Sequence, residues 1–490
     1  MAKVRYLDLS GGINRGVNPE LTRDNEAEYI LNMRPDILGS WRVRQGYTQV
    51  GDTIETGKTI YGLHQFVDKA GTKTLYAVCN NAGDTAGQIK YLNGSTWTSL
   101  TATIPAYKNI EFADFINYTF MCGNGMATQS IAGGAANPST VTNVTGAPQA
   151  LFPIVYKDRL YLINITNLGG TAYPSRFYWS SIPSGSPLAI TWDTANDYEA
   201  FAEDDGSGIV GAVVAHDRLY LFKGDKFGFW DNTQIRELYG VGCADHRTIK
   251  EYNGVIYWMD KKGAIWSFDG SSLQKLSKKV DDYTYFAVYN AAYGYVNARI
   301  DQNGYYLFVG NPNWPDRSQN YNSVEWDLFT PTYSKGAELA YFFEGGWAVN
   351  GYQNWINIYC TSIDSFGREY HHFGSDGKVY LLGQGDDDVG TDDGSLISYV
   401  YLSKEISFGI PEEEKYIIEG YPYGRNLELT NFGIFIGDTR DEVKLGQVQK
   451  KKKIPIGKSA NYFRFMYSGM SGQTPPRIDG AGFDLKINSK

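Results

Sequence analysis

Histidine and cysteine are scarce in this sequence of 490 residues, which contains five of the first and four of the second. The cysteines are scattered without CxxC spacing, which excludes a disulfide framework and a cysteine-based zinc site and is typical of folding in a reducing compartment. The chain also lacks the G-x-S-x-G elbow, the H-E-x-x-H zinc motif and the phosphate-binding loop. We therefore expect neither enzymatic activity nor a cofactor.

Long apolar runs are missing as well. No segment reaches the roughly 18 consecutive apolar residues that a membrane-spanning helix needs. The N-terminal MAKVRYLDLSGG has no apolar core of a secretory signal, so we expect synthesis in a cytoplasm without export. The net charge of −9 argues against a general nucleic-acid coat, because phosphate neutralisation needs a surplus of lysine and arginine. It does not exclude a channel through which DNA slides.

The sequence is rich in glycine and tyrosine, with 55 and 38 copies, which is typical of turn-rich β-proteins. A turn pair followed by a short apolar segment with an aromatic residue recurs, as in YKDRLYLIN, AHDRLYLFK and YNGVIYWMD. The recurring aromatics are Tyr76, Phe120, Tyr161, Tyr220, Tyr257 and Tyr306, with Tyr359 as a weaker seventh. Their spacing scatters around the roughly 40–50 residues of a four-stranded blade. The pattern predicts an all-β, irregular β-propeller of about six to eight blades, favoured over a sandwich or a barrel.

One hairpin of this set, VIYWMDKKGAIWSFDG (255–270), carries two tryptophans at matching places. Read alone, Trp258 and Trp266 suggest a platform for a sugar or a base. Within a repeating set of apolar hairpins, core packing is the more common use of such residues. We therefore predict that they pack between neighbouring blades.

Both ends depart from the repeat. Residues 1–58 are polar and predict an extended N-terminal arm, which either closes the ring of blades or lies along a neighbouring subunit. Residues 59–400 form the predicted propeller. From residue 401 to 490 the alternating pattern of segments such as LELTNFGIFIG predicts a separate C-terminal β-sandwich.

The histidines offer little chemistry. His246 follows Asp245, but adjacent residues on a strand point to opposite faces, so the two do not predict an acid–base dyad. Of the pair His371 and His372, one at most could face a metal, and no further ligand stands at suitable spacing. We interpret all three as ordinary structural histidines.

Two charged segments are candidates for binding. Asp386, Asp388 and Asp392 lie in the acidic stretch GDDDVGTDDG (385–394) and are candidate calcium ligands, although the favoured interpretation is a solvated loop between domains. Four consecutive lysines predict a solvated hairpin tip, or a contact with DNA or with an acidic face of another subunit. They are Lys450, Lys451, Lys452 and Lys453.

Two further tryptophans lie in turn-rich surroundings. Trp314 stands in GNPNWPDRSQNYN and Trp347 in FEGGWAVNG. Unlike the hairpin tryptophans, they are predicted to be exposed contact residues, and a carbohydrate is the ligand that such aromatics would serve.

Two longer segments carry a recognisable order of residues. SGGINRGVNPELTRDNEAEYILNMRPDILGSWRVRQGY (10–47) combines a glycine pair, an N-E-A step and a G-S-x-R-x-R-x-G-Y ending. Residues 209–276 show RLYLFK, GC, RTI, GAIWSFDG and LS in that order. Both resemble tail proteins of tailed bacteriophages, in the group that includes the packaged-DNA-stabilisation, or tail-nozzle, proteins of short-tailed phages. Gln45 departs from the pattern, where a proline is expected.

The resemblance implies a virion structural protein of the phage tail that is not an enzyme. Such a propeller subunit assembles into a homo-oligomeric, six-fold ring below the portal and adaptor, retains packaged DNA, conducts it during ejection and carries tail fibres or a tip. Contact with the passing DNA is non-specific. Arg34, Arg42 and Arg44 are the interaction candidates in the N-terminal arm. The alternative is a carbohydrate-binding, receptor-binding propeller of a tail tip, and a glycan-cleaving propeller ranks last.

Overall fold

A computed structural model describes most of the chain. The described residues are 2–18, 21–37, 39–134, 140–185, 189–281, 296–309, 336–352, 354–383, 391–407, 414–427, 430–436, 441–447, 454–471 and 475–487. The predicted site residues Asp386, Asp388, Trp314 and Lys450, Lys451, Lys452 and Lys453 lie outside these ranges.

The N-terminal segment contributes six short strands, β1 (Ala2–Tyr6), β2 (Gly12–Ile13), β3 (Glu26–Leu31), β4 (Met33–Pro35), β5 (Trp41–Val43) and β6 (Tyr47–Gln49). Strand β2 pairs only with β3 and β4 only with β5, whereas β1, β3, β5 and β6 pair with strands from later parts of the chain.

Five consecutive four-stranded antiparallel sheets follow, each with its strands in chain order. The first two contain β7 (Ile60–Val67), β8 (Lys73–Asn80), β9 (Gly87–Asn93), β10 (Thr96–Ile104), β11 (Ile110–Phe115), β12 (Tyr118–Gly123), β13 (Gln129–Ala132) and β14 (Val141–Asn143). The next two contain β15 (Gln149–Tyr156), β16 (Arg159–Leu168), β17 (Thr171–Trp179), β18 (Tyr198–Ala200), β19 (Gly211–Ala215), β20 (Arg218–Phe222), β21 (Phe227–Trp230) and β22 (Ile235–Tyr239). The fifth contains β23 (Lys250–Tyr252), β24 (Val255–Met259), β25 (Ile265–Phe268) and β26 (Leu273–Lys275).

A sixth and a seventh blade complete the set. The sixth consists of β27 (Asn297–Asp301), β28 (Gly304–Phe308), β29 (Gly336–Phe342) and β30 (Gly346–Tyr352). The seventh takes only three strands from its own part of the chain, β31 (Ile358–Ile363), β32 (Glu369–Ser375) and β33 (Lys378–Leu382). Its fourth strand is β6 from the N-terminal segment, which pairs antiparallel with β33. A small hairpin, β34 (Thr391–Asp392) and β35 (Ser395–Leu396), borders β6.

The seven blades close into a ring. The first strand of each blade contacts the first strand of the next, and β31 of the last blade contacts β7 of the first. The predicted all-β propeller is thereby confirmed, and the described residues form seven blades. The recurring aromatic residues from Tyr76 to Tyr306 all lie on the second strand of their blade. Tyr359 does not match them, because it lies on the first strand of blade seven.

The hairpin at residues 255–270 shows why these segments fold as they do. The Asp260 carboxylate accepts hydrogen bonds from the backbone N–H groups of Lys262 and Ala264, at 2.8 and 2.9 Å, and so fixes the turn. Trp258 and Trp266 face each other across β24 and β25. The Trp258 ring is fully buried, and its centroid lies 5.2 and 5.3 Å from those of Phe222 and Phe227 in the preceding blade. Packing of Trp258 between blades is therefore confirmed.

The C-terminal part forms a two-sheet sandwich. Its strands are β36 (Ser398–Ser403), β37 (Lys415–Arg425), β38 (Thr430–Ile436), β39 (Asp441–Gln447), β40 (Ile454–Ala460), β41 (Phe463–Met470) and β42 (Arg477–Ile487). One sheet has the order β3-β36-β41-β38-β39 and continues blade six through β3, while the other has the order β4-β5-β42-β37-β40 with β1 beside β42. Phe465 and Phe483 meet between the sheets, with centroids 6.1 Å apart.

The N-terminal residues close the ring of blades, which is the first of the two predicted alternatives, and they also contribute strands to the sandwich. Strands β1, β4 and β5 belong to the sandwich, β3 joins the sandwich to blade six, and β6 closes blade seven. The division at residues 58 and 401 does not follow these pairings, because the first fifty residues are shared between both units. The described part of the chain contains no helix with the length and apolar character that a membrane span requires.

Candidate functional site: the cavity on the propeller axis

The ring of first strands encloses a cavity of about 200 Å³. Its walls come from the first strands of blades one, two, five, six and seven and from the turn that leads into blade five. Because these strands surround the propeller axis, the cavity lies on that axis. Polar and charged side chains that the repeat pattern did not single out line it.

Glu111 enters the cavity from β11, in a strand whose neighbours Ile110 and Phe112 also line it. Burial raises the pKa of the Glu111 carboxyl to about 7, although the charges of Arg247 and Lys250 act in the opposite direction. Among the described residues its side chain has neither a hydrogen-bond partner nor a cation within ion-pair distance.

A 3-10 turn at His246–Thr248 places Arg247 beside the cavity. The Asp245 carboxylate caps the turn by accepting a 2.9 Å hydrogen bond from the Arg247 backbone N–H. The same carboxylate receives the Arg247 guanidinium through Nε at 3.1 Å and Nη2 at 2.9 Å. This two-point ion pair keeps the pKa of Asp245 below its usual value and neutralises the charge of Arg247.

His246 fills the side of the cavity next to blades three and four. Its ring stacks on Phe152 of β15, with centroids 4.5 Å apart, and its Nδ1 accepts a 3.3 Å hydrogen bond from the Ala212 backbone N–H. Burial, aided by the charge of Lys250, lowers the pKa of His246 to about 4. His246 is therefore a neutral packing residue, as the sequence predicted.

Lys250 begins β23 and brings an ammonium group to the cavity. Burial lowers its pKa, while the charge of Glu111 opposes that shift. Among the described residues its Nζ has no hydrogen bond and no carboxylate within ion-pair distance. Lys250 and Glu111 thus attract each other across the cavity without touching.

Asn297 on β27 adds an unsatisfied acceptor. The side chain is 1% exposed and donates from Nδ2 to the carbonyl oxygens of Ile356 and Asn357, both at 3.3 Å. Its Oδ1 has no partner although the residue lines the cavity. A buried acceptor left without a partner costs about 1–3 kcal/mol.

These groups suit binding better than covalent catalysis. Cys360 also lines the cavity, but burial raises the pKa of its thiol to about 12, so the reactive thiolate is not formed at neutral pH. The His246 imidazole is engaged with Ala212 and stacked on a ring. The cavity offers a carboxylate, from Glu111, and a separate ammonium group, from Lys250.

Arg44, an interaction candidate, is buried instead of exposed. Its guanidinium binds the Asp392 carboxylate at 2.8 and 2.6 Å and also donates to the Asn32 side chain and the Gly351 carbonyl. Its Cζ lies 4.4 Å from the centre of the Tyr352 ring. The expectation that Arg44 and Asp392 are available for external partners is wrong, since each satisfies the other.

Arg34 and Arg42 lie opposite each other in the β4–β5 hairpin. Arg42 also faces Arg477 of β42. Both arginines are half-buried within the sandwich sheet. Their role as contact residues stays a prediction.

Trp347 is a second correction. It was expected to be exposed because its surroundings are turn-rich, but Gly346 begins β30 and the Trp347 ring points inward. It is 1% exposed, its Nε1–H donates to the Leu276 carbonyl at 3.3 Å, and its centroid lies 5.0 Å from that of Tyr341. Trp347 cannot serve as a surface platform.

His371 and His372 are buried on β32 and point to opposite faces. The His372 Nδ1 is 3.0 Å from the Ser362 hydroxyl, and the His371 Nδ1 is 3.3 Å from that of Thr361. Burial lowers their pKa values to about 3 for His371 and about 4 for His372. Within the described ranges no group of three or more histidine, cysteine or acidic residues is placed to hold a metal ion.

Sequence reasoning missed Glu111, Lys250 and Asn297. The recurring aromatics mark the second strand of each blade, so the strand just before each of them is the one that faces the axis. Polar residues in those preceding strands were the available signal.

The comparisons with known proteins give little. No family model and no curated protein matches the chain. Among solved structures it is similar to the computationally designed Ika8 protein, with 11% identity and a TM-score of 0.38 over 78% of this chain and 100% of that one. It is also similar to YCF48 bound to D1 peptide, with 11% identity and a TM-score of 0.39 over 70% and 96% of the two chains. At this level of similarity neither structure indicates a function.

Proposed function

We propose that this chain is a structural subunit of a bacteriophage tail, forming a six-fold ring around the DNA exit channel. In the virion it retains the packaged genome, conducts it during ejection and contacts the portal-adaptor on one side and fibres or a tip on the other. The observation that carries the proposal is the way residues 10–47, one of the two segments that resemble tail-nozzle proteins, are used in the fold.

Residues 10–47 make close backbone contacts with distant parts of the chain. Gly12 has a φ of +67°, and a Cβ on it would lie 2.5 Å from the Trp347 backbone nitrogen. A Cβ on Gly46 would lie 1.7 Å from the Thr391 carbonyl oxygen. Only glycine permits these close backbone approaches. The glycines and Arg44 of the segment are therefore structural, which supports a role in assembly and not in chemistry.

The second segment, residues 209–276, makes up blades four and five. Its aromatic residues fill the space between those blades. The two segments that resemble tail-nozzle proteins therefore have structural roles in the fold. This supports the proposal, because a subunit that retains a packaged genome needs a rigid fold.

A carbohydrate-binding propeller at a tail tip is less well supported. Of the two tryptophans expected to contact a glycan, Trp347 is buried, and Trp314 lies outside the described residues. We therefore retain only the tail-ring function.

The proposal is tested by removing the protein from the phage. Particles assembled without it are expected to lose their packaged DNA, and complementation with the intact gene should restore DNA-filled heads. Particles that keep their DNA and only fail to adsorb would instead favour the receptor-binding alternative.

A further inference from the structure

The axial cavity contains two opposite charges that do not pair with each other. Glu111 projects from blade two and Lys250 from blade five, and each senses the other's charge without reaching ion-pair distance. Isolated charges are costly to bury unless they are paired and hydrogen-bonded. Arg247 and Asp245 already neutralise each other, so the unmet demand rests on Glu111 and Lys250.

The charge pattern selects among ligand classes. A simple anion would be attracted by Lys250 but repelled by Glu111. A simple cation would be attracted by Glu111 but repelled by Lys250. An apolar molecule would leave both charged groups unsatisfied. A molecule with one carboxylate and one amino group satisfies both charges.

We propose that the axial cavity is a binding site for a small zwitterion of the amino-acid type, with its carboxylate directed to Lys250 and its amino group to Glu111. The Arg247–Asp245 pair forms a neutral wall of the cavity. A cavity of about 200 Å³ holds the equivalent of about six water molecules, so the ligand is a small amino acid. The site is independent of the tail function.

The raised pKa of Glu111, about 7, agrees with a carboxyl group that lacks a close cationic partner in the empty cavity. The partial exposure of Glu111 and Lys250 to the cavity, in contrast to the buried Asn297 amide beside them, leaves their charged ends available to a ligand.

Isothermal titration of the full chain tests the proposal. The probes are the standard amino acids, β-alanine and γ-aminobutyrate, with butyrate and butylamine as analogues that carry only one of the two charges. We expect at least one zwitterion to bind with 1:1 stoichiometry and at least ~10-fold more tightly than either analogue. If no zwitterion binds at about 10 mM, or if an analogue binds equally well, the proposal is overturned.

Variants locate the binding site. Glu111→Gln and Lys250→Met should each weaken binding by ~10-fold or more, whereas Glu199→Gln and Lys69→Met, at exposed positions outside the cavity, should leave it unchanged. Thermal unfolding of each variant separates lost binding from lost folding. Binding that survives both cavity variants, or a crystal structure of the complex with only water in the cavity, would overturn the assignment.

Discussion

Arg44 and Asp392 lie 348 positions apart in the sequence and form a fully buried two-point ion pair, with N–O distances of 2.8 and 2.6 Å. The pair joins the end of the N-terminal segment to the short hairpin beyond blade seven. Arg44 also reaches Asn32 and the Gly351 carbonyl, so one guanidinium connects both units of the fold.

Removing one partner of this pair should destabilise the protein strongly. Arg44→Met leaves the Asp392 carboxylate buried without its cation, which costs about 3–5 kcal/mol. The double variant Arg44→Met with Asp392→Asn should recover part of that loss, because it removes the orphaned charge. Urea unfolding of the three proteins measures the difference. A double variant no more stable than Arg44→Met alone would contradict this account.

Strand β6 should be needed to hold blade seven. Tyr47 on β6 is 1% exposed, and its ring lies 5.0 Å from Phe373 and 5.2 Å from Tyr380. Tyr47→Ala should cost about 3–5 kcal/mol, because it opens a large cavity at the closure. Tyr107, at 59% exposure, provides the control, and Tyr107→Ala should change the free energy of unfolding by less than about 1 kcal/mol. Equal effects of the two substitutions would argue against closure through β6.

The two tryptophans of the 255–270 hairpin should differ in their effect on stability. Trp258 is fully buried against blade four, whereas Trp266 is only half-buried and donates its Nε1–H to Asp260 at 2.8 Å. Trp258→Ala should cost about 3–5 kcal/mol and Trp266→Ala clearly less. Thermal unfolding of both variants checks the order, and a larger loss for Trp266→Ala would contradict the inter-blade role of Trp258.

Stability should fall on mild acidification because of His372. Burial lowers its pKa from 6.5 to about 4, so the unfolded chain binds a proton more readily than the folded one between these values. The stabilisation is complete above pH 6.5 and is lost as the pH falls to about 4, a change of about 3 kcal/mol. His372→Gln should reduce the pH dependence of the unfolding free energy in this window and leave the part that His246 and His371 contribute.

The exposed His216 gives the matched control for that experiment. His216→Gln should retain the steep pH dependence of the parent protein. A parent protein whose stability is constant between pH 6.5 and pH 4, or equal flattening by both variants, would contradict the assignment to His372.

The propeller could be predicted because its hairpins carry local signals. Asp260 and the turn glycine, the alternating apolar segments and the recurring aromatics all act over a few residues. The role of the N-terminal strands could not be predicted from the sequence. Strands β3 and β6 pair with strands more than 300 positions away, and such short segments do not indicate their partners. Trp347 was misjudged for a related reason, since adjacent glycines mark a turn but do not tell whether the next side chain points inward.

The axial cavity was also beyond sequence reasoning. Glu111, Lys250 and Asn297 lie on three different blades, and only closure of the ring brings them to one cavity. No spacing along the chain relates them. Once the second strands are assigned from their aromatics, however, the polar residues of the preceding strands can be named in advance.

Electron cryomicroscopy of intact virions tests the central claim most directly. The account predicts a ring of six copies on the tail axis, each with a seven-bladed propeller and the attached sandwich, enclosing a channel wide enough for duplex DNA. Virions whose tails contain no density for this chain, or contain it only as single copies on peripheral fibres, would contradict the claim.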